Sequence, residues 1–166
     1  MAVGPVVVVM GVAGSGKSVV GRLLAQRLGV EFAEGDDFHP AANVAKMSAG
    51  QPLDDADREP WLDVVAGWIA GRGELGGVVS CSALRRRYRD RLRADTPGVF
   101  FLHLDGSPAL ISGRLAERTG HFMPAELLRS QYDTLEPLQP DEAGAAVVID
   151  GPVEATVERA LARIPR

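Results

Sequence analysis

Eight consecutive residues near the amino terminus, Gly11-Val12-Ala13-Gly14-Ser15-Gly16-Lys17-Ser18, follow the pattern G-x-x-x-x-G-K-[ST]. Each residue type suits the binding of a polyphosphate. Glycines let the backbone turn tightly and bring N–H groups close to phosphate oxygens. The lysine can reach the β- and γ-phosphates, and the Ser18 hydroxyl can ligate Mg²⁺. An apolar run, Val6–Met10, precedes the loop and a helical pattern follows it, so the loop opens a helix whose amino terminus favours anions. On this reading Gly11, Ala13, Gly14, Ser15, Gly16, Lys17, Ser18 and Val19 face a bound nucleotide. The chain has no N-K-x-D segment to read guanine, which points to ATP.

A second group begins at Glu34-Gly35-Asp36-Asp37-Phe38-His39-Pro40. A carboxylate beside the phosphate loop could accept a hydrogen bond from an attacking hydroxyl and take its proton. A solvated turn or a helix cap are equally ordinary uses of Asp, and Asp36 and Asp37 both remain candidates for the base. The apolar run Gly77–Cys81 ends without an aspartate, so the metal falls to Ser18, phosphate oxygens, water and a nearby carboxylate. Arg114 and Arg118 stand four apart, just before Thr119-Gly120-His121-Phe122. Arginines there suit the charge of a transferring phosphate; exposed helix charges are the other reading. Arg85 and Arg89 are also four apart, within a run of six arginines from Arg85 to Arg93. They read either as a carboxylate-binding pair or as part of a solvated basic face.

These residues need elements to hold them. Five short apolar runs, Val6–Met10, Val30–Ala33, Gly77–Cys81, Val99–Leu104 and Ala145–Ile149, alternate with helical patterns. Helices are expected over Ser18–Leu28, around the stripe Trp61–Ile69, from a Ser82 cap to Arg93, over Pro108–Arg118, from Pro124, and over Val153–Ala162. Continuous apolar strands alternating with helices predict an α/β fold of three αβα layers around a five-stranded parallel sheet. Ligands in such sheets bind at the carboxyl ends of the strands, where the loops named above lie. The longest intervals leave room for a substrate-binding lobe (35–62) and a mobile lid (114–124). In related folds the loop before the last strand, here Pro137–Gly144, borders the adenine, and that expectation comes from the fold rather than from the loop's own residues.

The chain has 166 residues, 46% hydrophobic and 24% charged, with net charge −4. This is one domain with a core of its own. The charge argues against nucleic acid as a partner. Cys81 is the only cysteine, which excludes an intramolecular disulfide. The amino terminus lacks a basic segment before its apolar run, and no apolar stretch approaches a membrane span. The expectation is a cytoplasmic protein without a membrane partner.

From Gly35 to Leu62 the sequence matches G-D-x-x-H-P-x-x-N-x-x-K-M-x-x-G-x-P-L-x-D-x-D-R-x-P-W-L. Residues 81–90 match C-S-A-L-[KR]-x-x-Y-R-D, and 114–122 match R-L-x-x-R-x-G-H-F. On these blocks the chain resembles the gluconate kinase (gluconokinase) family. The resemblance implies a P-loop NTPase fold of the nucleoside-monophosphate-kinase type, phosphorylation of gluconate at its 6-hydroxyl by ATP with Mg²⁺, and a possible homodimer. It implies catalytic roles for Lys17, Asp36 and Arg118, with Arg114 beside Arg118 on the nucleotide. Asp36, His39, Arg58, Arg85, Arg89 and His121 would meet the substrate. Asp37 departs from the family pattern, where an apolar residue is usual. The rivals are another kinase of this fold, such as one acting on shikimate, and a module that binds ATP without transferring phosphate.

Overall fold

The computed structural model describes residues 5–117 and 125–165. Five strands, β1 (Val6–Met10), β2 (Phe32–Glu34), β3 (Gly77–Ser80), β4 (Phe100–Asp105) and β5 (Gly144–Val148), form one sheet in the order β2-β3-β1-β4-β5. Every pairing is parallel, with Val7 opposite Val78 on one side and Phe100 on the other. The helices are α1 (Lys17–Leu28), α2 (Ala41–Ser48), α3 (Asp55–Arg72), α4 (Arg86–Arg93), α5 (Pro108–Glu117), α6 (Ala125–Thr134) and α7 (Val153–Arg163).

Alternate residues of β1 explain the three layers. Val7 and Val9 enter a cluster with Leu24 of α1 and Val157 of α7, while Val8 and Met10 pack against Val65 and Ile69 of α3. All of these are fully buried, and each such side chain contributes about 1.5–3 kcal/mol. The continuous run Val6–Met10 is thus a strand covered on both faces. No helix among the described residues is long and apolar enough to cross a membrane.

Three element starts differ from the sequence reading by two residues or more. The second strand begins at Phe32 rather than Val30. Gly29 adopts a left-handed conformation (φ 70°), and the Val30 N–H closes α1 on the Ala25 carbonyl, so Val30 belongs to the helix terminus. The helix α3 starts at Asp55, ahead of Pro60. A reciprocal cap makes this possible: Asp57 N–H donates to the Asp54 side chain at 2.8 Å, and Asp54 N–H to Asp57 Oδ2 at 3.0 Å. Ser82 does not cap α4, which begins at Arg86. The Arg86 N–H instead donates to Glu136 Oε1 at 2.7 Å. The intervening chain turns at Ala83 (φ 44°), a left-handed geometry that a helix cannot contain.

Candidate active site

The carboxyl ends of β1, β2 and β3 bring the two halves of the site together. After β1 the chain turns through Gly14 (φ 81°) and Gly16 (φ 91°), conformations that residues with a Cβ rarely adopt. Ser15 Oγ donates to the Val12 carbonyl at 2.7 Å. Lys17 Nζ donates to the Gly11 and Val12 carbonyls, both at 3.0 Å, which leaves the third of its donors free. The N–H groups of Gly14, Gly16, Lys17 and Ser18 have no backbone acceptor among the described residues, as an anion cradle requires.

The expected loop is therefore built, and one residue that the sequence reading left unnamed completes it. Glu34, the last residue of β2, accepts hydrogen bonds from Ser18 Oγ and, at 2.7 Å, from Ser80 Oγ. Burial pushes its carboxyl up, but hydrogen bonds from Ser18, Ser80 and Arg22 outweigh that and hold it below its ordinary value. Its signal in the sequence was position alone: an acid at the strand end, one residue before the glycine that precedes Asp36. Gly35 is needed there for space, because a Cβ would lie 2.0 Å from the Ser80 carbonyl oxygen. Ser18 and Glu34 supply hard oxygens suited to Mg²⁺. No cluster of three His, Cys, Asp or Glu side chains exists among the described residues, so phosphate and water oxygens would complete the coordination.

Asp36 and Asp37 share one 3₁₀ turn, Gly35–Phe38, and both are exposed. They differ in what they act on. Burial lowers the pKa of Lys17, and the charge of Asp36 is the first of those opposing it, ahead of Cys81 and Glu34. Asp37 has no such effect on the lysine. His39 stacks on Trp61 with ring centroids 4.2 Å apart. The indole is itself fixed in the core, 3% exposed, by donating Nε1–H to the Gly35 carbonyl at 2.7 Å. Buried Asn43 donates its amide to His39 Nδ1 at 3.1 Å and to the Asp57 carbonyl at 2.7 Å. With Nδ1 accepting, Nε2 carries the proton and lies 3.9 Å from Asp36 Oδ1. Burial lowers the His39 pKa, opposed by Asp36 and reinforced by Arg58. The ring is thus held neutral, with its one N–H on the Asp36 side.

The structure sorts the arginines. Arg86 pairs with Asp141 and Asp90, Arg87 with Asp55, Arg91 with Asp63 and Asp95, and Arg93 with Glu142 and Asp90. Arg89 was expected on the substrate, and this is corrected: its side chain is fully buried. It forms a bidentate pair with Glu142, at 2.7 and 3.0 Å, and donates to the Ala83 carbonyl at 2.9 Å. Its task is to hold the left-handed turn before α4. Burial pushes the Glu142 carboxyl up, but hydrogen bonds from Arg89, the Gln139 N–H and Arg93 bring it down to about 2. Arg85 lies before α4, in extended conformation, so it does not share a helix face with Arg89 as the spacing suggested. Alone among the six, Arg85 has no ion pair with the described residues. Arg58, half-buried, donates to the Tyr88 hydroxyl at 3.2 Å and lies over its ring.

A cavity of about 410 Å³ opens on the other side of the phosphate loop, lined by Gly14, Gly16, Val19, Arg114, Val153 and Thr156. Arg114 donates to the Ile149 carbonyl. This volume suits a nucleoside. It lies beside the start of α7, whereas residues 137–142, the loop expected to border the adenine, pack against Arg86 and Arg89. Arg118 and His121 lie outside the described residues, as does most of the expected lid.

Comparison with known proteins then supplies the family. A shikimate kinase family model matches residues 13–140. A gluconokinase of Gluconobacter oxydans is 53% identical over 81% of this chain and 77% of its own. The chain belongs to the gluconokinase family. A solved gluconokinase from Sinorhizobium meliloti superposes with TM-score 0.90 at 46% identity, covering 98% of this chain and 92% of that one. A solved shikimate kinase from Bacteroides thetaiotaomicron reaches 0.63 at 15% identity over 93% and 95% of the two chains. The likeness to that shikimate kinase is one of fold alone.

Proposed function

We propose that this chain transfers the γ-phosphoryl group of ATP to the 6-hydroxyl of D-gluconate, giving ADP and 6-phospho-D-gluconate. The observation that carries the reading is the phosphate loop, with the Lys17 ammonium held on the Gly11 and Val12 carbonyls, standing at the strand ends beside the turn that bears Asp36 and the His39 N–H 3.9 Å from it.

The triphosphate lies along residues 14–18, with the nucleoside in the cavity beside Arg114. Mg²⁺, when bound at Ser18 and Glu34, supplies neutralisation of phosphate charge. The remaining chemistry belongs to side chains. Gluconate places its carboxylate on Arg85, with Arg58 behind it, because a guanidinium fork pairs with a carboxylate in two places. Its 6-hydroxyl enters the gap of 3.9 Å between His39 Nε2 and Asp36 Oδ1. Asp36 accepts the hydroxyl proton as the oxygen attacks the γ-phosphorus, and the bond from that phosphorus to the β–γ bridging oxygen breaks. Lys17 holds the charge that develops on the phosphoryl oxygens.

ADP release with ATP and Mg²⁺ tests this against gluconate, other aldonates, shikimate and nucleoside monophosphates. Stimulation by gluconate above all others is expected. A stronger response to shikimate would keep the kinase and discard the acceptor. ATP binding with no response to any acceptor would leave a nucleotide-binding module.

A further inference from the structure

The phosphate loop is held from outside by a residue of α6. Gln131 Oε1 accepts a hydrogen bond from the Ala13 N–H at 2.6 Å, across 118 residues of sequence. Inside the loop, Ser15 and Lys17 satisfy the Val12 and Gly11 carbonyls. The Ala13 N–H is the group they leave over, and a side chain takes it. The peptides that follow carry the N–H groups free for phosphate.

The same helix end reaches two other loops of the site. Tyr132 Oη donates to the Gly106 carbonyl at 2.7 Å, beyond β4. Glu136 N–H donates to the Leu84 carbonyl at 2.7 Å, and its carboxylate caps Arg86. Both contacts fix the turn that presents Arg85. The stretch 131–136 is therefore tied to the donor loop and to the acceptor loop at once.

We propose that Gln131 is a positioning residue for the phosphoryl donor. By anchoring Ala13 it keeps the loop in the shape that cradles phosphate before ATP arrives, and it does so from a segment that also sets the acceptor side. The proposal rests on the assignment of residues 11–18 to ATP. Its physical content is a population: a loop that samples other shapes binds with an apparent affinity reduced by the fraction that is competent.

Gln131→Met keeps the length and removes the acceptor. It should weaken a non-hydrolysable ATP analogue about fivefold to tenfold in calorimetry, the effect of one hydrogen bond left unmade. The KM for gluconate should stay at the wild-type value, and the thermal midpoint should fall by no more than the few degrees that one lost hydrogen bond costs. Exchange of the Ala13 amide hydrogen should be slow in the wild type and fast in this variant. Gln131→Glu, which keeps an acceptor oxygen, should restore the slow exchange. Should the methionine variant not fold, Gln131→Asn, one methylene too short to reach, takes its place with the same readouts. Wild-type analogue affinity in the variant, or fast Ala13 exchange in the wild type, would overturn the proposal. So would a joint loss of affinity for both substrates with a larger fall in the midpoint, which marks a structural role alone. Lys17→Ala run alongside keeps the two readings apart. If it binds the analogue normally, the phosphate-loop assignment fails; if it does not while Gln131→Met is silent, only the present inference fails.

Discussion

The donor and acceptor halves of the site are built by different means. Around ATP the chain offers main-chain N–H groups, turned outward by Gly14 and Gly16 and placed by a single loop of eight residues. On the proposed acceptor side it offers side chains drawn from the β2 end, α2, α3 and the turn before α4, held by other side chains: His39 by Trp61 and Asn43, Lys46 by Asp57, the Ala83 turn by Arg89. A main-chain cradle is insensitive to most substitutions in it and depends on a few. A side-chain lobe distributes its tolerance, so that loss of a supporting residue moves a contacting one.

Lys17→Ala should break the donor half most severely. A drop of about 10³-fold in kcat/KM for ATP is expected, with the fold intact by circular dichroism. A smaller loss than that from any acceptor-side change would reverse the comparison. Glu142→Gln should have the next largest effect, on stability rather than on chemistry. It leaves Arg89 buried without its carboxylate, at a cost on the order of 3–5 kcal/mol in urea unfolding. The same residue sets an acid limit. With its folded carboxyl at about 2 against an ordinary 4.5, Glu142 stabilises the fold above pH 4.5, and the contribution fades as pH falls toward 2. The variant should lose that portion of the acid transition; an unchanged acid profile would count against the buried pair.

Asp36→Asn should lower kcat about 10²-fold and leave the affinity for the ATP analogue unaltered. Arg85→Ala should raise the KM for gluconate about tenfold or more, the worth of a charged hydrogen bond, with little change in the KM for ATP. If the increase fell on ATP instead, Arg85 would belong to the donor half. Asp37→Asn should have the smallest effect, less than about threefold, as for an exposed side chain without a partner among the described residues. A larger loss than that of Asp36→Asn would exchange their roles.

The sequence by itself determined what depends on local order. Continuous apolar runs specified parallel strands covered on both faces, and the spacing of Gly11, Gly16, Lys17 and Ser18 specified the phosphate loop, because such a loop is a property of consecutive backbone angles. Tertiary structure decided which charges are free. Six arginines between Arg85 and Arg93 look alike as letters, yet Arg89 is sealed against Glu142, 53 residues away, while Arg85 has no ion pair among the described residues. The cap of α4 comes from Glu136, the anchor of Ala13 from Gln131, and the partner of Ser18 from Glu34. Each is a contact between segments distant in sequence, and the energy of a charge or an N–H is set by what the fold places beside it.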